Sequence, residues 1–302
     1  MTSLAQFIRD LIRLLAYLLR YFLGIGRGRD TKQTPCCACP PALKKPDPFL
    51  YAQYFLMGLG IPVTWDNPDI FIFDGPTPVD PHNLKASTEY TLVARVWNNS
   101  TDVPVVDLNV VFSYLSFGMG VTSHAIAATT TDLNAKGLPG CPAFAAVKWT
   151  TPPAVGHYCV QVLLEPPDDS NWLNNLGQRN MDVAQPASPA AFAFDVGNHA
   201  GPRQRRVHFT VDTYAIPPLR PCDERANAAT RARELRQPAP QVPAGWTVEL
   251  TPSELVLAPG EEKTVTAEIT PPPGFSGRMP FNVTARDDIG PFGGVTLTVE
   301  VP

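Results

Sequence analysis

Between Ala143 and Val183 the chain alternates apolar and polar residues with a period of two, in runs separated by chain breakers. Val147 and Trp149 share one face of the first run. Tyr158, Val160 and Val162 share one face of the second, with Cys159 and Gln161 on the other. That period belongs to a strand with one buried face. Thr151-Pro152-Pro153-Ala154-Val155-Gly156 parts the two runs, because neither proline can donate to a sheet ladder. Asp168-Asp169-Ser170-Asn171 and Asn174-Asn175 fill the next turn, and a last run carries Met181 and Val183. A chain built this way makes half of an antiparallel β-sandwich. With 34 prolines in 302 residues, the remainder is also held to short strands and turns rather than long helices.

The same reading extends in both directions. Upstream, strands are expected at Asp69–Phe73, at Glu89–Trp97 with Tyr90, Leu92, Ala94 and Val96 inward, at Val105–Leu115 and at Thr122–Thr131. Six or seven strands over about 115 residues is the count and spacing of an immunoglobulin-like sandwich. Downstream, Pro186-Ala187-Ser188-Pro189 reads as a hinge. Strands follow at Ala191–Val196, Arg206–Tyr214, Trp246–Leu250, Glu254–Leu257, Lys263–Ile269, Pro280–Ala285 and Val295–Val301, with Gly293-Gly294 as a turn. Between Pro217 and Pro243, Asp223-Glu224 opens and Arg231, Arg233 and Arg236 close a short external helix, in the charge order a helix dipole favours. The expected fold is therefore mainly β: two tandem immunoglobulin-like β-sandwiches preceded by an amphipathic N-terminal α-helix. Residues 1–26 form the helix and 27–66 a Pro/Cys linker with an apolar lead-in. Residues 67–186 form the first sandwich, and 187–302 the second with its helical insertion at 217–243.

Residues 3–23, SLAQFIRDLIRLLAYLLRYFL, make the one convincing long helix, with Ser3 and Gln6 at its start and Gly24 and Gly26 at its end. A transmembrane span is opposed by Arg9, Asp10 and Arg13. Each costs about 2.5–3.5 kcal/mol at mid-bilayer, against about 0.3–0.6 gained per Leu, Ile or Phe, so the sum is near zero. A cleaved signal peptide needs a basic start and a small-residue cleavage site, and both are poor here. An amphipathic helix remains, lying in a membrane interface or in a groove of partner subunits through Phe7, Leu11, Arg13, Leu15, Leu18, Arg20 and Phe22. Packing on its own sandwich is the plain alternative. Positive charge after the helix favours a cytoplasmic assembly or a membrane-associated protein, with export to the cell surface as the alternative.

The six cysteines are too few for a disulfide scaffold. Cys141 and Cys159 flank adjacent strands and can pair in an exported protein, although alternation points them to opposite faces. Cys36, Cys37 and Cys39 sit in the linker, where a zinc site lacks a second ligand pair and acylation is chemically reasonable. The Asp168, Asp169, Asn171, Asn174 and Asn175 loop has oxygens enough for Ca²⁺, but Asp and Asn also serve their own turns, and no fixed calcium-loop spacing occurs. The five histidines, His82, His124, His157, His199 and His208, are scattered in sequence. Asn98, Asn99 and Asn282 stand in glycosylation sequons. Trp149 and Trp246 are expected in the cores, leaving Trp97 and Trp172 as candidate sugar-stacking residues. No catalytic triad, carboxylate pair or phosphate-cradling loop emerges, so neither an enzyme nor a cofactor is expected. A net charge of -4 gives no general attraction to nucleic acid. Other protein subunits, itself included, and a membrane surface are the expected partners.

Asn67-Pro68-Asp69-Ile70, LVARVWNNS, VKWTTPPAVGHYCVQV and DDSNWLNNLGQRNMDV together resemble the CARDB family, the cell-adhesion-related domain of bacteria, over roughly residues 67–185. That resemblance implies a seven-stranded, non-catalytic extracellular module. The loop around Ser116–Gly120 is longer than that pattern has. GWTVELTPSELVLAPGEEKTVTAEITPPPG resembles the Ig-like module appended to bacterial α-galactosidases and to S-layer-type surface proteins, which implies a spacer or partner-binding domain. Two functions follow: a scaffold tethered by its helix, or an exported cell-adhesion or carbohydrate-binding accessory module.

Overall fold

A computed structural model describes residues 45–116, 118–154, 156–183, 191–199, 202–216 and 240–301. The helix expected over residues 3–23, the cysteines of the linker and the helix expected in the 217–243 insertion lie outside the described residues. The strands are β1 (Pro48–Phe49), β2 (Ile70–Asp74), β3 (Thr77–Pro78), β4 (Glu89–Asn98), β5 (Val105–Ser116), β6 (Gly118–Met119), β7 (Ser123–Leu133), β8 (Ala143–Thr150), β9 (Gly156–Glu165) and β10 (Leu176–Val183). After them come β11 (Ala191–Gly197), β12 (Arg205–Asp212), β13 (Thr247–Thr251), β14 (Glu254–Leu257), β15 (Glu262–Thr270), β16 (Gly277–Arg286) and β17 (Pro291–Val301). A short helix, α1, spans Gln53–Gly58. The protein is mainly β, in antiparallel sheets that pair into two sandwiches.

In the first sandwich β4 is flanked by β2 and β8 and pairs at its end with β1, while the facing sheet runs β10-β9-β5-β7. Its core contains the inward sets that alternation predicts for β4, β8 and β9. Tyr90, Leu92, Ala94 and Val96 meet Leu108, Val110, Phe112, Val160 and Val162, with Trp149 at one end. Strand β5 carries an irregularity between Val105 and Leu108, where Asp107 has φ 54°. The extra residue there turns Val106 out to solvent. The second sandwich pairs sheet β13-β15-β11-β6 with sheet β14-β12-β16-β17 around Phe194, Val207, Val265, Phe281, Val283 and Leu297.

Four expectations change. The Ser116–Gly120 loop is no loop: β6 leaves the first sandwich and pairs in parallel with β11, Gly118 opposite Asp195 and Met119 opposite Val196. A Cβ at Gly118 would lie 2.2 Å from the Asp195 carbonyl, so only glycine lets the backbones approach. Gly293-Gly294 is not a turn but lies inside β17, opposite Ala285 and Thr284. The first sandwich starts before residue 67, since β1 pairs with β4 and Leu50 belongs to its core. Finally, Cys141 and Cys159 form no bridge; both are free thiols. Cys141 packs on the core edge, whereas Cys159 faces out of β9 beneath the α1 segment, where burial pushes its thiol up to about 12. The strands they flank are not neighbours in one sheet: β8 pairs with β4, whereas β9 lies in the facing sheet between β10 and β5.

Candidate functional site

Two places bring side chains together in ways a lone sandwich would not need. The first is the joint between the sandwiches, built by the apolar lead-in. Strand β10 is buried on both faces because residues 50–67 run across its outer side. The polar backbone and side chains covered there are paired rather than abandoned. Gln53 Nε2 donates to the Gln178 carbonyl at 2.6 Å, and the Gln178 N–H donates to Gln53 Oε1 at 3.1 Å. The Asn180 N–H donates to the Trp65 carbonyl at 2.9 Å. At the far side the segment meets the second sandwich: the Trp65 N–H donates to Thr296 Oγ1 at 2.8 Å, and Asn180 Nδ2 donates to the Thr296 carbonyl at 3.2 Å. The fully buried Trp65 ring lies flat on Gly294, where a Cβ would fall 2.1 Å from the ring. Met119 covers Gly293 in the same way. Strand β17 therefore carries two successive glycines because side chains from the first half of the chain occupy both its faces, Trp65 on the outer and Met119 on the core side.

An ionic cluster closes the joint on the side of the first sandwich. Asp182 on β10 takes His82 Nδ1 on one carboxylate oxygen at 2.8 Å and His157 Nδ1 on the other. His82 Nε2 in turn meets Asp66 at 3.0 Å. Burial alone would depress the His82 imidazole. Hydrogen bonds to Asp182 and Asp66, with the charges of both, outweigh it and hold His82 up at about 9. For Asp182 burial is again the largest influence, but His157 and His82 overcome it and bring the carboxyl down to about 2. Asp66 is lowered against burial by His82, Arg179 and Arg278. The imidazole of His157 also lies 5.5 Å from the Phe192 ring of the second sandwich, and Arg278 reaches Asp80 at 3.1 Å. Both nitrogens of His82 are engaged by carboxylates, so it is a buried cation and not a general base. Histidines that look scattered in sequence are thus brought to one carboxylate. His124, His199 and His208 stay apart, the first stacked on Tyr114 and the others beside Glu262 and Glu254.

The second place is the outer face of the β8-β4-β2 sheet. The registers set Phe71 beside Val93, Val93 beside Ala146, Arg95 beside Phe144 and Phe49 beside Trp97, all at outward positions. Arg95 is clamped by Asp69, with Nε donating to Oδ1 at 2.9 Å, and donates from Nη2 to the Pro68 carbonyl. That grip lays its guanidinium over the Phe71 ring at 5.3 Å and the Trp97 ring at 5.1 Å. Phe144 is 60 % exposed. Of the two candidate tryptophans, Trp97 belongs to this face, while Trp172 stands elsewhere, on a single 3-10 turn (Trp172–Asn174) against α1. The signal for the face was present in the sequence: Phe71, Phe73, Val93 and Trp97 are apolar at positions where one-sided burial calls for polar residues.

The remaining sites resolve simply. The side chains of Asn98 and Asn282 are buried and their amide nitrogens donate to protein carbonyls, so neither sequon is open to an enzyme. Among the described residues no helix is long and apolar enough to cross a membrane, and no group of three His, Cys, Asp or Glu side chains is placed to hold a metal ion.

No family model matches this chain, and no curated protein does. Among solved structures it is similar to a cycloisomaltooligosaccharide glucanotransferase of Paenibacillus sp., at 14 % identity and TM-score 0.28 over 41 % of this chain and 14 % of that one. It is also similar to the Yersinia pseudotuberculosis adhesin InvE, at 12 % identity and TM-score 0.22 over 73 % and 57 %. A chitin binding domain from Burkholderia pseudomallei shares 8 % identity at TM-score 0.21 over 34 % and 55 %. The chain spans less than two thirds of each of these three. Likenesses this distant say nothing of ligand or activity, and the fold rests on its own strand order and registers.

Proposed function

We propose that the chain is a non-enzymatic scaffold whose two sandwiches act as one rigid interaction body. The helix expected over residues 3–23 ties that body to partner subunits, to further copies of itself, or to a membrane surface. The observation that carries this reading is the joint. A hinge would leave Thr64, Trp65 and Thr296 to water; here they are buried and bonded across the boundary. A fixed joint sets the distance and angle between outer faces, which suits a spacer or a multi-point contact. The edge strands β7 and β13 offer backbone for lateral pairing. The resemblance of residues 67–185 to a bacterial cell-adhesion module belongs to the same proposal. Purification from the native source with size analysis tests it, and co-purifying subunits are the expected result. Replacing Leu11, Leu15 and Leu18 by Asp should release the protein while the β signal of its far-ultraviolet spectrum persists. Retention of that variant, or collapse of the sandwiches, would remove the tether.

A second reading, an exported adhesion or carbohydrate-binding accessory module, is favoured by the aromatic face, since flat rings with a held arginine suit the apolar faces of neutral sugars. Phe144→Ala separates the two. Being exposed, the position should change stability by less than about 0.5 kcal/mol. Loss of retention on insoluble polysaccharide would support the sugar reading, and no retention of the unaltered protein would end it.

A further inference from the structure

The two edges of the β10-β9-β5-β7 sheet are treated in opposite ways. Along β10, alternate outward N–H groups are met by the lead-in and its neighbours. Gln178 donates to Gln53 Oε1 at 3.1 Å, Asn180 to the Trp65 carbonyl at 2.9 Å and Asp182 to the Pro81 carbonyl at 2.8 Å. The Asp182 carbonyl accepts from the Leu84 N–H at 2.9 Å. Along β7 nothing comparable occurs. Among the described residues no backbone group from Ala125 to Thr131 bonds beyond the β5 ladder. The strand is 11 residues long, and Ala125, Ala127, Ala128 and Thr130 are exposed.

A long open edge is a template for another strand, and sheets ordinarily blunt it with proline, with charge or by keeping it short. The other edges here follow that rule. Strands β1 and β3 have two residues each and hold Pro48 and Pro78. Strands β13 and β14 have five and four and carry Glu249 and Glu254, and β8 presents Lys148. Strand β17 is closed over Gly293 and Gly294 and carries Glu300 beyond them. The β7 run AIAATTT, Ala125–Thr131, has neither proline nor charge. His124 and Asp132 at its ends are engaged within their own sandwich, on the Tyr114 ring and the Asp107 N–H. One blunting device is present. Ile126 is an extra residue opposite the Phe112–Ser113 step and packs on the core. That bulge confines the regular open stretch to Ala127–Thr131.

We propose that Ala127–Thr131 pairs antiparallel with the same segment of a second copy of this chain, about a two-fold axis at Thr129, so that two sheets run into one. The faces match. Thr129 and Thr131 lie opposite the core residues Val110 and Leu108 and point inward, while Ala128 and Thr130 lie opposite Val111 and Asn109 and point out. Each Ala128 then falls beside Thr130 of the second copy on the outer face, and each Ala127 beside its Thr131 on the inner. No like charges meet, alanine leaves room for the approach, and β-branched threonine suits an extended pair. A strand complementary to itself satisfies both open edges at once, and the closed two-fold stops growth at a dimer. The inference rests on the scaffold reading, whose lateral contact it assigns to one edge and one occupant.

Sedimentation equilibrium tests it on the full chain, both unaltered and carrying Leu11→Asp, Leu15→Asp and Leu18→Asp, so that association through the helix is set apart. A concentration-dependent dimer is expected in both. Ala128→Lys with Thr130→Lys sets like charges side by side across the axis and should weaken the dimer about tenfold or more. Ala128→Lys with Thr130→Glu sets opposite charges there and should restore it. Both positions are exposed, so the urea midpoints should hold. Amide exchange over Ala127–Thr131 should slow as protein concentration rises. A dimer that survives the helix substitutions and yields only to the double lysine upholds the pairing even where the tether fails. Loss of the dimer with the helix substitutions alone overturns the pairing while the tether stands. An equal dimer in the double-lysine variant, or none in the lysine–glutamate variant, overturns it too. So does a chain that is monomeric throughout, which would give the edge to a strand of another protein.

Discussion

Replacing Trp65 by alanine is expected to cost about 3–5 kcal/mol and to turn one cooperative unfolding transition into two. The indole is fully buried, and it is seated on β17 of the second sandwich while its Nε1–H donates to Gln178 of the first at 3.3 Å. Removing the ring opens a cavity in the boundary itself, so the damage falls on the coupling as well as on the sum. Scanning calorimetry of the two proteins reads both effects. Gly294→Ala attacks the same contact from the other side, because its Cβ would meet the ring at 2.1 Å and the ring is hemmed in. The double variant should cost less than the two single costs added, since the alanine side chain then has room. A single unshifted transition in Trp65→Ala would show that the sandwiches are held by something else.

Stability should also fall as pH rises from about 6.5 through about 9. An imidazole whose value is raised on folding contributes fully below its unfolded value and loses that contribution as pH climbs through the folded one. For His82 the ordinary value is 6.5 and the folded one about 9, with the side chain only 7 % exposed. At about 1.4 kcal/mol per pH unit, the loss is about 3 kcal/mol. Asp182 gives the opposite limb: its stabilisation is present above 3.8 and is lost as pH falls towards about 2. Both limbs describe one cluster and are not to be summed. Urea unfolding across pH measures them. Asp182→Ala should cost about 3–5 kcal/mol near neutrality, by leaving buried His82 one carboxylate short, and should flatten the alkaline limb. A variant whose stability still declined between pH 6.5 and 9 would assign that decline to other groups.

Much of this architecture could be read from alternation alone. The inward residues of β4, β8 and β9 are those that period two selects, and the proline turn at Thr151–Gly156 falls between β8 and β9. What alternation cannot supply is pairing between distant segments. Gly118-Met119 is too short to show a period, so its place beside β11 is invisible until the backbones meet. Gly293-Gly294 reads as a turn because glycine pairs usually are turns, and only Trp65 and Met119 explain them within a strand. Asp182, Asp66 and His82 are ordinary polar residues in sequence, and they acquire their chemistry by burial against one another. The loop asparagines were recognisable as turn residues, but the bond from Asn174 to Asp47 was not, since more than a hundred residues separate them (positions 47 and 174).

The short parallel pairing of β6 with β11 means that one sheet of the second sandwich is completed by a strand encoded in the first half of the gene. During synthesis the first half emerges carrying Gly118-Met119 with nothing to dock on, and β11 finds its neighbour already made. A dissection made in the stretch between β10 and β11, where two domains would ordinarily be parted, yields one product with a stranded donor and another with a bare acceptor edge. Such products are built to find each other again, and recombining them, more than studying either by itself, is the natural way to take this protein apart.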